Sequence, residues 1–179
     1  QISMENNAAE QIKVLVVSDS HGRNENLKKA VANMRGSHCR MFHLGDFQCD
    51  PDDIYDLAGV PVDMVRGNCD SEVDQMLLRF PMTAPWQQVL SERYRLFLTH
   101  GHLYSPDNLP PLAAGDVLAY GHTHIPVAEK RGAIYLFNPG SVSIPKGGYS
   151  ASYGLLDQGR LQVLALNDNQ VIAEVAIYP

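Results

Sequence analysis

The sequence predicts an α/β fold built on two packed β-sheets with helices outside them, and three observations carry that prediction. The front half alternates apolar strand, polar turn and amphipathic helix, the pattern of parallel βαβ units. The back half is nearly all strand. Its last three strands are joined by short turns such as Asp157-Gln158-Gly159-Arg160 and Asn167-Asp168-Asn169, which suit antiparallel pairing.

The first strand is Val14-Leu15-Val16-Val17, apolar at consecutive positions as burial on both faces requires, and it stops at Ser18-Asp19-Ser20-His21-Gly22. Leu27, Ala30, Val31 and Met34 then recur at helical spacing, which predicts a surface helix ending near Gly36. A second strand, Met41 to Leu44, breaks at Gly45-Asp46, and Pro51-Asp52-Asp53 opens a helix with its acidic residues near the positive end. A third strand, Val62 to Val65, breaks at Gly67-Asn68, and a further helix is expected over Ser71 to Leu78. Arg95 to Leu98, Val117 to Tyr120, Ile134 to Phe137, Tyr153 to Leu156, Leu161 to Leu166 and Val171 to Ile177 complete the strands.

With 179 residues, 45% of them hydrophobic, the chain can bury a core yet is short for two independent domains. No repeat or linker separates the halves, so a single domain over residues 12–179 is expected, with 1–11 a tag remnant or disordered start. A net charge of -6 without a basic run argues against a polymeric nucleic-acid substrate. Three cysteines, Cys39, Cys49 and Cys69, form neither a disulfide framework nor paired zinc ligands, which fits a reducing cytoplasm. No apolar run has the length to span a bilayer and no signal segment is visible, so no membrane role is expected.

The chemistry is positional. Five strands end in a residue able to bind a metal: Asp19, Asp46, Asn68, His100 and His122. Loops at the carboxyl ends of strands in an α/β sheet converge on one crevice, so these five face one pocket. Asp19-x-His21 and His122-x-His124 each add a second donor on the same tight turn.

In the order Asp19-x-His21, Gly45-Asp46, Gly67-Asn68, His100, Gly121-His122-x-His124, the set resembles the calcineurin-like metallophosphoesterase superfamily, matching its motif order without a gap over nearly the whole chain. Within it, the small size, Gly67-Asn68-Cys69-Asp70 and Asn138-Pro139-Gly140-Ser141 resemble the YfcE/YsnB group of bacterial phosphodiesterases, most closely from Arg66 onward. The connection between Asp46 and Asn68 is shorter than that group usually carries.

The resemblance implies a four-layer αββα sandwich, two mixed β-sheets flanked by helices. It also implies one metal ion on Asp19, His21 and His124, another on Asn68, His100 and His122, and Asp46 bridging both. Carboxylate, imidazole and amide donors suit Mn²⁺, Fe²⁺, Ni²⁺, Co²⁺ or Zn²⁺, and the resemblance tilts the choice to manganese. Seven ligands suit a pair of ions about 3.5–4 Å apart, which lowers the pKa of a bound water, supplies hydroxide for in-line attack and neutralises phosphoryl charge. The implied activity is hydrolysis of small phosphodiesters by a cytoplasmic enzyme, with Asp46, Asn68 and His100 at its centre. A homo-oligomer is compatible with a small hydrophobic sandwich.

In many relatives a histidine follows the motif asparagine and assists the leaving oxygen; Cys69 stands there in this chain, so general-acid help is expected to be weak. Asp70 would orient that histidine in relatives and is read here as a cap for the following helix. His102 is expected either to fix a neighbouring ligand or to face substrate. His38 and His43 are read as packing or surface residues, and the loop 138–141 as a plain turn or as one whose backbone N–H groups orient the histidine loop or approach phosphate. The rival class is a binding protein, because a retromer subunit resembling this fold serves as a protein-interaction scaffold with a degraded metal motif. Every ligand position is intact here. A phosphomonoesterase or nuclease on the same metals is the second rival.

Overall fold

A computed structural model describes residues 13–34, 37–70, 86–90 and 95–177. In chain order its elements are β1 (Lys13–Val17), α1 (Asn24–Met34), β2 (Arg40–His43), α2 (Pro51–Ala58), β3 (Val62–Met64), β4 (Trp86–Leu90), β5 (Arg95–Thr99), β6 (Val117–Ala119), β7 (Val127–Arg131), β8 (Ile134–Asn138), β9 (Ser152–Asp157), β10 (Arg160–Ala165) and β11 (Val171–Ala176).

The strands form two mixed sheets, ordered β11-β10-β9-β1-β2-β3 and β4-β5-β6-β8-β7. β1, β2 and β3 pair in parallel, as the βαβ pattern predicts, and so do β5, β6 and β8. β9, β10 and β11 pair antiparallel; the β9–β10 turn places Gln158 at φ 52 and Gly159 at φ 76, the two consecutive positive values that a tight hairpin turn requires.

The continuous apolar run of β1 follows from its central place in the first sheet. Val14 and Val16 meet Phe42, Leu44, Leu96, Leu98, Val117 and Phe137 in the layer between the sheets. Leu15 and Val17 face the other way, where Leu27, Ala30 and Met34 of α1 and Ile54 and Ala58 of α2 cover them. α2 begins as its sequence predicts. The Asp52 N–H donates to the Asp50 carboxylate at 2.9 Å, Pro51 opens the helix, and Gly59 closes it at φ 68. The outer face of the second sheet, with Phe97, Leu118, Tyr120 and Leu136, carries Tyr104 and Leu112 from the long β5–β6 connection.

Two strands, β4 and β7, have no counterpart in the sequence reading. Both are sheet edges, and their residues, Trp-Gln-Gln-Val-Leu and Val-Ala-Glu-Lys-Arg, carry the polar load of an edge. The helix expected over Ser71 to Leu78 lies outside the described residues. No helix among the described residues is long and apolar enough to cross a membrane.

Candidate metal centre

Parallel pairing puts the carboxyl ends of β1, β2, β3, β5 and β6 at one rim, and each strand hands over there to a tight turn. The β1 and β2 turns run side by side: the Asp19 N–H donates to Gly45 O at 3.0 Å, His21 N–H to Asp46 O at 2.8 Å and Gly22 N–H to Phe47 O at 2.7 Å. Asp19, His21, Asp46, His122 and His124 all sit at left-handed φ, between 51 and 70. Non-glycine residues reach that region at a cost of about 1–3 kcal/mol each, and such strain concentrates at functional sites.

Gly67, before Asn68, and Gly121, before His122, permit close approach. A Cβ on Gly67 would lie 2.1 Å from Asp46 Oδ1, and one on Gly121 would lie 2.0 Å from Ser18 Oγ and 2.7 Å from Asp19 Oδ2. Any larger residue at either position therefore collides with a carboxylate of the site or its support.

Two of the donor groups follow the expected ligand sets. Asp19, His21 and His124 bring their ligand atoms within 4.8 Å of one another, and so do Asp46, His100 and His122. Asp46 Oδ2 stands between the groups, 3.1 Å from His100 Nε2 and 3.9 Å from His21 Nε2. Asp19 Oδ1 is buried and accepts no hydrogen bond, while His124 Nε2 lies 3.3 Å and His21 Nε2 and His100 Nε2 each lie 3.7 Å away. A buried carboxylate oxygen left without a donor among three imidazoles is expensive unless a cation compensates it. The donor set thus fits a divalent metal.

Oxygen acceptors behind the rings decide which nitrogens face inward. His100 Nδ1 donates to Leu44 O at 2.8 Å, His124 Nδ1 to Ile144 O at 2.5 Å and His21 Nδ1 to Gln48 Oε1 at 2.5 Å. Each bond leaves the Nε2 lone pair toward the carboxylates, the arrangement found behind metal-ligating histidines. His122 instead presents Nδ1, 3.3 Å from His100 Nε2. Asp19 Oδ2 accepts from Ser18 Oγ at 2.6 Å and from the His122 N–H at 3.0 Å, which fixes its other oxygen inward.

Burial alone would raise both carboxylates, but His124 and His100 around Asp19, and His100 against Asp46, hold both below the usual carboxylate range. Burial would lower His100, yet its contact with Asp46 and the charges of Asp19 and Asp46 raise it. His124 is raised by its contact with Asp19. His122 is lowered by burial and by His100 beside it. Carboxylates held low among imidazoles form a donor set whose charge a divalent ion can compensate.

Asp70 ties two turns of the site together, while the helix it is expected to cap lies outside the described residues. Its carboxylate accepts the N–H groups of Asp46 at 2.8 Å, Gly67 at 2.8 Å and Gln48 at 2.9 Å, tying the β2 turn to the β3 turn. Its two oxygens are thus committed to the loops that carry Asp46 and Asn68. Asp70→Ala leaves three donors without this acceptor and is expected to cost about 3 kcal/mol of folding stability in denaturant titration, with Asp70→Asn losing less.

His43 also has more structure than packing. Its Nδ1 accepts the Gly45 N–H at 3.1 Å, so its Nε2 carries the proton toward Ser20 Oγ at 2.9 Å. Burial pushes its pKa from 6.5 down to about 4. The folded state therefore keeps His43 neutral where the unfolded chain takes up a proton. Stability is expected to fall as pH drops from about 6.5 to about 4, by at most about 3 kcal/mol from this group. Urea titrations at about pH 7 and about pH 4.5, repeated with His43→Gln, check whether this slope flattens.

The remaining sequence candidates fall at or near the rim. Asn68 is exposed, with its amide nitrogen 3.8 Å from Cys69 Sγ. Cys69 is exposed, and its N–H donates to Asp46 Oδ1 at 2.9 Å. His102 packs 5.5 Å from His100 between ring centroids and is lowered by burial and by the charges of His100 and His122. His38 is buried outside both donor groups. The loop 138–141 supports the histidine turn: Asn138 Nδ2 donates to Gly121 O at 3.1 Å and to Thr123 Oγ1 at 3.0 Å, while Ser141 Oγ donates to Asp19 O at 2.8 Å. Ser18 and Gln48 are supports that the sequence reading did not name. Only the fold shows what they bond.

The sequence profile of the calcineurin-like phosphoesterase superfamily domain matches residues 12–160. The chain belongs to the calcineurin-like phosphoesterase superfamily. It is 73% identical over 115 residues to phosphodiesterase YfcE of Escherichia coli K12, a match that covers 64% of this chain and 62% of that protein. It is 30% identical over 159 residues to YsnB of Bacillus subtilis, covering 81% of this chain and 83% of YsnB. The solved structure of YfcE, described as a phosphoesterase from E. coli, superposes with a TM-score of 0.84 at 51% identity, over 93% of this chain and 100% of that one. The family, the YfcE/YsnB likeness and the two-sheet sandwich expected from the sequence are thereby established.

Proposed function

We propose that this chain is a metal-dependent phosphodiesterase that holds two divalent ions, Mn²⁺ foremost, and acts on small phosphodiesters. The observation that carries this reading is the placement of Asp46 Oδ2 between two donor groups, where it shares His21 and His100 as neighbours with the undonated Asp19 Oδ1. Asp19, His21 and His124 would hold one ion and Asn68, His100 and His122 the other, with Asp46 available to both. Bound ions would supply Lewis acidity toward the phosphoryl oxygens and lower the pKa of water to near neutrality.

The chain's own residues orient and insulate that chemistry. The Leu44 and Ile144 carbonyls and Gln48 fix three imidazoles, Asp70 clamps the Asp46 and Asn68 turns together, and Ser18 aims Asp19. Cys69 stands at the rim with a thiol raised by burial and the charge of Asp46, so it is a poor proton donor to a leaving alkoxide at neutral pH. The net charge of -6 disfavours a nucleic-acid polymer as substrate. A scaffold role is disfavoured because the buried Asp19 Oδ1, without a donor, costs stability that binding of a partner elsewhere would not recover. The test is an aryl phosphodiester assay of metal-stripped protein with Mn²⁺ restored. Turnover that needs Mn²⁺ supports the reading, and none with any divalent ion overturns it.

A further inference from the structure

We propose that Cys69 gives this centre a second, thiophilic binding mode, in which a soft divalent ion such as Cd²⁺ or Zn²⁺ is held by Cys69, Asp46 and His21. The inference rests on reading Asp46 and His21 as metal ligands and adds a donor that the two hard groups lack. The ligand atoms of His21, Asp46 and Cys69 all lie within 4.8 Å of one another. The Cys69 backbone is pinned against the carboxylate through its N–H bond to Asp46 Oδ1, and its thiol is exposed and free of any disulfide. The Nδ1 of His21 is committed to Gln48, which leaves Nε2 for the ion. The fully buried Asp19 Oδ1, without a hydrogen bond, stands 3.7 Å from that same Nε2.

Thiolate selects soft ions, whereas manganese prefers carboxylate, carbonyl and water oxygen, so the metal decides which mode is used. In the soft mode the Cys69 S–H bond breaks, its proton passes to solvent, and a sulfur–metal bond forms with no change of oxidation state. His21 has one inward lone pair and cannot serve this ion and the Asp19–His124 group together. A soft ion therefore removes a ligand from the hard site as it binds.

The experiment is an ultraviolet difference titration of the metal-stripped chain with Cd²⁺, reading thiolate-to-metal charge transfer, in wild type, Cys69→Ser and Cys39→Ser. A band that saturates near equimolar Cd²⁺, persists in Cys39→Ser, disappears in Cys69→Ser and is absent with Mn²⁺ is expected. No band in wild type, or an undiminished band in a Cys69→Ser protein whose circular dichroism matches wild type, overturns the inference. Mn²⁺-dependent phosphodiester turnover on the same wild-type preparation separates the two readings. Turnover without the band overturns the thiophilic mode alone, and the band without turnover overturns the enzyme alone.

Discussion

Asp46→Asn is expected to reduce Mn²⁺-dependent phosphodiester turnover by about 10³-fold or more, equivalent to roughly 4 kcal/mol of transition-state stabilisation. The size follows from position. Asp46 Oδ2 is the oxygen within reach of imidazoles from both donor groups, and Oδ1 is occupied by the Cys69 N–H. The substitution keeps the shape and removes the negative charge, so affinity for the second ion falls together with the rate. Titration of Mn²⁺ by calorimetry should lose at least one binding event, while circular dichroism stays as in wild type. Unchanged turnover in the variant would remove Asp46 from the chemistry.

The second large effect is expected at Cys69. Cys69→His places an imidazole at the rim beside Asp46, where a protonated ring can reach a leaving oxygen. A positioned acid contributes about 10²–10⁴-fold, and the benefit grows as the leaving group becomes more basic. Alkyl phosphodiester turnover should therefore rise more than aryl turnover, and the wild-type protein should favour activated aryl esters. Rates on a paired series of aryl and alkyl substrates check this, and an equal gain on both would count against a missing acid.

Much of this was legible because strand ends are legible. Apolar runs that stop at Asp19, Asp46, Asn68, His100 and His122 locate both the parallel strands and the rim they share. What the sequence withheld lies in relations between turns. Asp70 looks like the residue before a helix, and nothing local reveals that its carboxylate reaches back over 20 residues to the Asp46 and Gln48 N–H groups. Gln48 is an exposed polar residue until the turn brings it to His21. β4 and β7 escaped because an edge strand is defined by its partner: Gln87 and Gln88 become strand only by pairing with Leu98 and Phe97.

The bonds behind His100 and His124 end on main-chain oxygens, those of Leu44 and Ile144. Every residue type at those two positions offers the same carbonyl, so the aim of both rings rests on the course of the backbone and on no side-chain donor or acceptor. The orientation of these rings is thus inherited with the fold, whereas the rings themselves are open to replacement one codon at a time. A descendant that lost its histidines would keep the sockets that once held them, and restoring the side chains alone would recover their geometry.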